Sequence, residues 1–162
     1  MTKPAQFNLC NKWHLLATGF GSGLAPFAPG TFGTIAAIPF YLMFVYSPSI
    51  WFFIFTALVC LVGPKICGQA AEDIGVHDHK AIVWDEFAGF FITMCFVPFS
   101  FVNVLAGFVL FRFFDIVKPW PISYLDKYVH GGLGIMIDDV VAGLFAGLCL
   151  YLLLPTLATL PL

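Results

Sequence analysis

The sequence predicts an all-α fold, a polytopic membrane bundle of about five transmembrane segments, and three observations carry that expectation. Hydrophobic residues make up 60% of the 162 residues and charged residues 10%. Soluble domains run near 45–50% and about 25%. Twenty Phe residues exceed what a water-soluble globule of this length can hide, so lipid must solvate much of the surface. Between Lys12 and Lys65 the chain carries no formal charge. The length suits a single membrane-embedded domain over 1–162 and is short for two ordinary cores.

The elements follow from the apolar runs and their interruptions. As one helix, 31–63 would extend about 50 Å, against ~30 Å of hydrocarbon. Ser47-Pro48-Ser49 breaks it where a tight helix–helix turn belongs, giving spans over 32–46 and 49–63. The block from Ala81 to Ile116 is interrupted by Pro98-Phe99-Ser100 and reads as a second hairpin, 81–97 and 101–116. The last span is 135–154. Several of these are shorter than the usual ~20 residues and require local thinning or extension into the interface. The stretch Trp13–Pro29, rich in Gly and Pro, reads equally as an interfacial or re-entrant piece with Trp13 at headgroup level and as a plain loop.

The charges orient this arrangement. Every Lys falls in the N-terminal segment, the loop 64–80 or the loop 117–134, all on one side in the five-span reading. The other side receives uncharged turns and an uncharged tail. The positive-inside rule makes the Lys-bearing side cytoplasmic. A rival reading makes 87–111 one span, which would separate Asp85 and Glu86 from Arg112 and Asp115 by a whole membrane. No basic stripe exists, which excludes a nucleic-acid partner. The five Cys residues lack a C-x-x-C pair and read as apolar fillers. No signal peptide is expected, because the first dozen residues contain Lys3 and Lys12 without a short apolar run and cleavage site.

A charge at membrane depth is costly and rarely idle, and three constellations stand out. Asp85-Glu86 lies one turn into the third span. Arg112, Asp115 and Lys118 sit at i, i+3 and i+6 on nearly one helix face, and Asp138-Asp139 lies one turn into the fifth span. Acids near helix N-termini and cations near a C-terminus suit the helix dipoles, which is the bland explanation. Two acid pairs at one depth strain it, since four gathered carboxylates repel one another and resist desolvation without a cation. Oxygen ligands suit Mg2+, which takes one or two carboxylates together with waters and phosphate oxygens. Arg112 and Lys118 supply a fork and a point charge for phosphate.

Each acid pair is followed one turn later by small residues, Ala88-Gly89 and Ala142-Gly143. Such residues allow helices to approach closely, although chance similarity gives the same echo. Gly30-Thr31-Phe32-Gly33 opens the first span and either offers backbone N–H groups at Thr31 and Gly33 to an anionic headgroup or is a flexible helix entry. Gly131-Gly132-Leu133-Gly134 has the same two readings. His77-Asp78-His79-Lys80 reads as a solvated loop in the absence of further nearby ligands, not as a zinc site. His14 and His130 read as ordinary interfacial residues.

Four stretches, LATGFGSGLAPFAPGTFGT (16–34), IVWDEFAGF (82–90), FRFFDIVKPWPI (111–122) and GGLGIMIDDVVAG (131–143), resemble the bacterial phosphatidylglycerophosphatase A family. In the loop before the third span that family often reads Asp-Pro, whereas Asp78 is followed here by His79. The resemblance implies Mg2+-dependent hydrolysis of phosphatidylglycerophosphate to phosphatidylglycerol and phosphate, in the bacterial inner membrane, at an active site facing the cytoplasm. The mechanism that fits these residues is direct attack by metal-bound water. Asp85, Glu86, Asp138 and Asp139 hold the metal, Arg112 and Lys118 bind the phosphoryl oxygens, and Asp115 orients a cation or joins the metal ligands. A carboxylate left free by the metal serves as general base. The competing reading is a small ion or metabolite transporter using the same acidic cluster, against which the uncharged far half of every span weighs. A lipid phosphotransferase is disfavoured because the D-G-x-x-A-R pattern of CDP-alcohol transferases is absent.

Overall fold

The computed structural model describes residues 6–157, the side chains of 154–157 excepted. The described residues form seven α-helices and one 3-10 turn, with no strand among them. The helices are α1 (Lys12–Ala17), α2 (Pro29–Leu42), α3 (Ser49–Ile74), α4 (Trp84–Met94), α5 (Phe101–Val117), α6 (Ile122–Tyr128) and α7 (Gly131–Leu157), with the 3-10 turn at Ser22–Leu24.

Both expected hairpin turns exist. Ser47 and Pro48 separate α2 from α3. Ser100 caps α5, its hydroxyl accepting the N–H of Asn103 at 3.0 Å. The helix is therefore broken between Met94 and Phe101, and 87–111 is not one continuous rod. Two helices, α3 and the Gly131–Leu153 part of α7, are long and apolar enough to cross a membrane. At about 1.5 Å per residue, α2 with 14 residues, α4 with 11 and α5 with 17 are shorter.

Boundaries differ from the sequence reading for physical reasons. The second helix does not stop at residue 63 but passes Pro64 and ends at Gly75, whose φ of 74° closes it while its N–H caps the Ala71 and Glu72 carbonyls. Left-handed glycine is the ordinary stop for a helix. The last helix starts at Gly131 rather than 135, so Asp138 and Asp139 lie two turns inside it. The segment 13–29 forms α1 and the 3-10 turn, and the 117–134 loop contains α6.

Helix α7 is the centre of the packing, with α3, α4, α5 and α6 against it. Glycines set the closeness. A Cβ on Gly132 would overlap the Pro64 carbonyl of α3, and one on Gly143 would meet the Gly89 backbone of α4, its Cα at 3.0 Å. The Thr93 hydroxyl lies 3.0 Å from the Gly89 carbonyl and 3.2 Å from that of Gly143, stitching α4 to α7. The small residues after each acid pair thus perform the close approach that their echo suggested. Phe87, Phe90, Phe91 and Phe111 are fully enclosed, while Trp51, Leu58, Leu61, Phe101, Leu105 and Leu152 are more than half exposed. So broad an apolar exterior marks contact with lipid or another apolar partner.

The N-terminal helix is tied down by polar contacts. His14, buried beneath Phe7, accepts the Asn8 N–H on Nδ1 at 2.9 Å and faces Asp73 with Nε2 at 3.1 Å. Gln69 and Asn11 complete the hydrogen bonding of Asp73. Lys12 and Lys65 sit 5.0 and 5.5 Å from the Trp13 ring centre.

Candidate active site

One end of the bundle collects the N-termini of α2, α4 and α7, the C-terminus of α5, the loop 75–83 and α6. The hairpin turns lie at the other end. Between the collected elements lies a cavity of about 580 Å³ whose wall includes Gly30, Asp85, Glu86, Arg112, Asp115, Lys118, Asp126, Asp138 and Asp139. All three charged constellations from the sequence therefore converge on one space.

The first turn of α4 carries Asp85 and Glu86, where the helix dipole favours them. That explanation fails for Asp138 and Asp139, because the dipole effect fades within the first turn and they stand two turns in. Their reason lies across the cavity. One carboxylate oxygen from each of Asp85, Glu86 and Asp139 falls within 4.8 Å of the others. Asp138 and Asp139 are almost wholly buried. Asp85 Oδ1, Glu86 Oε2, Asp138 Oδ1 and Asp139 Oδ2 are buried oxygens without a hydrogen-bond donor, an arrangement that proteins otherwise avoid.

The cations answer only part of this charge. Arg112 Nη1 stands 2.6 Å from Asp115 Oδ2, one helical turn away, and 3.7 Å from Glu86 Oε1. The first is close in distance but poorly aligned, so that Nη1, like Nε, retains an unused N–H. Lys118 bridges Asp126 Oδ1 at 2.5 Å and Asp138 Oδ2 at 2.6 Å. Partial burial works against its charge, but the two carboxylates outweigh burial and lift its pKa above the ordinary lysine range, so it stays cationic. Lys118 also closes α5 in a left-handed conformation, φ 44°, and Ala28 at the entry of α2 has φ 45°. Non-glycine residues seldom hold this conformation, and such strain gathers at functional sites.

Of the residues that the sequence singled out, Asp85, Glu86, Arg112, Asp115, Lys118, Asp138 and Asp139 line the cavity, while Thr31 and Gly33 do not. Gly33 packs against the Val83 side chain, where a Cβ would come within 2.6 Å of Val83 Cβ. The residue of that motif that reaches the site is Gly30. A Cβ there would overlap Glu86 Oε1 and lie 2.9 and 3.0 Å from the two terminal nitrogens of Arg112. Sequence reasoning also missed His77, Asp78, His130 and Asp126, which join the wall. His77 Nε2 accepts the N–H of Gly131 at 2.6 Å, and its ring meets His130 edge-on at 5.6 Å. The loop 75–83 is therefore docked on the start of α7. Asp126 is found by its contact with Lys118 and by no signal in the sequence.

Comparison with known proteins gives the arrangement a lineage. The profile of the family described as "Phosphatidylglycerophosphatase A" matches residues 15–154. The chain is 49% identical over 148 residues to the phosphatidylglycerophosphatase A of Escherichia coli strain K12, covering 91% of this chain and 86% of that protein. It is 50% identical over 144 residues to the phosphatidylglycerophosphatase A of Haemophilus influenzae strain Rd, covering 87% and 88%. No solved structure matches the chain. The matched region contains every residue that lines the cavity, and the chain belongs to the phosphatidylglycerophosphatase A family.

Proposed function

We propose that this protein hydrolyses phosphatidylglycerophosphate to phosphatidylglycerol and inorganic phosphate, as a five-span protein of the bacterial inner membrane with the charged cavity at the cytoplasmic face. The observation that carries the proposal is the meeting of a largely buried three-carboxylate cluster with Arg112 and Lys118 in one cavity at one end of an apolar bundle. Family membership supplies the reaction class, the cavity supplies groups for a phosphomonoester, and the apolar exterior suits a lipid-borne substrate. The Lys residues among the described residues lie in segments at the cavity's end of the helices, in keeping with the positive-inside rule.

The carboxylates fit a divalent cation. Three hard oxygen donors lie within 4.8 Å of one another, and each belongs to a residue with a buried oxygen lacking a partner. Such a set matches Mg2+, which prefers oxygen and accepts few protein ligands beside waters and phosphate. Asp85, Glu86 and Asp139 would hold the ion, while Asp138 is held by Lys118 and stands beside them. When bound, Mg2+ supplies electrophilic stabilisation of charge on the phosphoryl group.

The rest of the chemistry belongs to the chain. Arg112 presents its unused N–H groups to the phosphoryl oxygens and stabilises the charge that gathers there as water attacks phosphorus. Asp115 and Glu86 orient the guanidinium, and the absence of a side chain at Gly30 leaves room for it. A bond forms from the water oxygen to phosphorus as the phosphorus–oxygen ester bond breaks, and the glycerol oxygen leaves with the proton that the attacking water gives up, passed on through a carboxylate of the site. Asp138 Oδ1, on the carboxylate whose other oxygen Lys118 holds, is the acceptor the geometry favours for the proton of the attacking water.

The test is phosphate release from phosphatidylglycerophosphate in detergent micelles, with Mg2+ and with chelator, for the wild type and Asp139→Asn. Release that needs the cation and disappears in the variant is expected. No release from folded wild-type protein would remove the proposal.

A further inference from the structure

The charged cavity binds a phosphate, but a lipid phosphate also has chains that must lie somewhere. A second depression of about 250 Å³ runs between α2 and α5, lined wholly by apolar side chains: Ile35, Ile38, Phe101, Val104, Leu105 and Phe108. The two helices touch only sparsely. They run antiparallel and in register from the site, where Gly30 stands against Arg112. Ile35 and Ile38 lie five and eight residues beyond Gly30, about 7.5 and 12 Å along α2. Phe108 and Val104 lie four and eight residues before Arg112, about 6 and 12 Å along α5. The groove thus starts one helical turn from the phosphate-binding guanidinium and leads away from it. Its rim is open, with Ile35, Leu105 and Phe101 exposed by 46, 66 and 79%. The cavity at the hairpin end, lined by Tyr41, Phe52 and Phe99 among others, has no cation in its lining.

We infer that the α2–α5 groove receives one acyl chain of the lipid phosphate whose phosphoryl group rests at Arg112. This rests on the phosphatase reading and adds to it a binding site for the tail. A single molecule bearing an anion and an apolar chain, joined over about one helical turn, fits the two sites together. Because the tail leaves one apolar medium for another, the groove contributes position more than affinity, holding the phosphoryl group against the catalytic residues.

The experiment is photolabelling of the full chain in detergent micelles with a non-hydrolysable phosphonate analogue of the lipid phosphate carrying a mid-chain diazirine. Adducts, located by peptide mass spectrometry, are expected to concentrate on 35–38 and 101–108. They should fall at least fivefold with excess unlabelled lipid phosphate or in Leu105→Trp, a substitution at a position 66% exposed. A diacylglycerol carrying the same diazirine should show no such concentration. Even labelling around the apolar exterior, or equal labelling of the groove by the diacylglycerol, would overturn the inference in favour of bulk lipid. In turnover, Leu105→Trp and Ile35→Trp are each expected to lower kcat/KM about tenfold for long-chain substrate relative to the six-carbon-chain form, and an equal change for both lengths would count against the groove. Labelling requires no turnover, so the two readings separate. Absent hydrolysis overturns the phosphatase reading, and hydrolysis with even labelling overturns the groove alone.

Discussion

Gly30→Ala sets helix propensity against site geometry, and the two forecast opposite results. Gly30 is the second residue of α2, after Pro29, and has no left-handed φ to forbid a side chain. Propensity alone favours Ala over Gly in a helix by about 1 kcal/mol. The cavity says otherwise. The new methyl would stand 2.9 and 3.0 Å from the Arg112 terminal nitrogens, where ordinary contact begins at 3.4 Å, and it would overlap Glu86 Oε1 outright. Relief requires the guanidinium to retreat by about half an ångström and the Glu86 carboxylate by more, at an overpacking cost of about 1–3 kcal/mol. The net expectation is a protein destabilised by about 0–2 kcal/mol. Its kcat/KM should be lower by about two orders of magnitude, the effect of roughly 1 Å of misplacement at a reacting centre. Phosphate release in micelles reads the second quantity, and thermal unfolding in detergent reads the first. Gly68→Ala is the control, since its methyl would meet only ordinary contacts at 3.4 and 3.5 Å. Wild-type activity in folded Gly30→Ala would refute the placement of Arg112 in the site.

Other substitutions sample the remaining walls. Lys118→Met leaves Asp138 buried without its partner and is expected to lower kcat by about 10²–10³, with partial recovery in Lys118→Arg, measured by steady-state hydrolysis. Gly143→Val drives a branched side chain into the Gly89 backbone. It should destabilise the α4–α7 crossing by about 1–3 kcal/mol, read by unfolding in detergent. Asp73→Asn weakens the clamp on His14, far from the carboxylate cluster, and should keep activity within about threefold while loosening α1, measured by hydrogen exchange of residues 12–17. Mn2+ used as a paramagnetic probe is expected to bind the wild type and to lose about tenfold or more in affinity in Asp85→Asn, Glu86→Gln and Asp139→Asn, whereas Asp126→Asn should bind like the wild type.

The sequence made legible whatever depends on rarity. In a chain so poor in charge, an acid pair beside apolar residues is conspicuous, and the three constellations identified Asp85, Glu86, Arg112, Asp115, Lys118, Asp138 and Asp139 before any geometry existed. The hairpin turns at Pro48 and Pro98 were equally visible, since proline and serine interrupt apolar runs. What remained hidden depends on tertiary contact. Gly63-Pro64-Lys65 has the composition of a helix stop, yet α3 continues through it because α7 packs closely there, Gly132 admitting the Pro64 carbonyl. His77 is the exposed loop residue that the sequence suggests, but its partner, the Gly131 N–H, lies 54 positions away and is not legible from spacing. The Gly30–Gly33 motif reads from sequence either as backbone donors at Thr31 and Gly33 or as a flexible helix entry. In the structure it is the missing Cβ of Gly30 that borders Arg112, a distinction of about 100° around a helix that spacing alone does not resolve.

The distribution of charge around the cavity supports the proposed cation. Seven acids, Asp78, Asp85, Glu86, Asp115, Asp126, Asp138 and Asp139, and three bases, Lys80, Arg112 and Lys118, line it. Ten of the sixteen charged residues of the chain thus surround one space, with a formal excess of four negative charges. Alone, such a surface repels a phosphomonoester, which is itself an anion. Arg112 and Lys118 do not reverse this, because each is already engaged by carboxylates within 2.6 Å. Under the proposed cation site, the buried, partnerless oxygens of Asp85, Glu86 and Asp139 are the groups divalent charge would satisfy, and that charge would offset the repulsion of an anionic substrate. On that proposal, binding of cation and of phosphate would be linked, each tightening the other by the same factor. The acid cluster would then select for the pair over either ion alone.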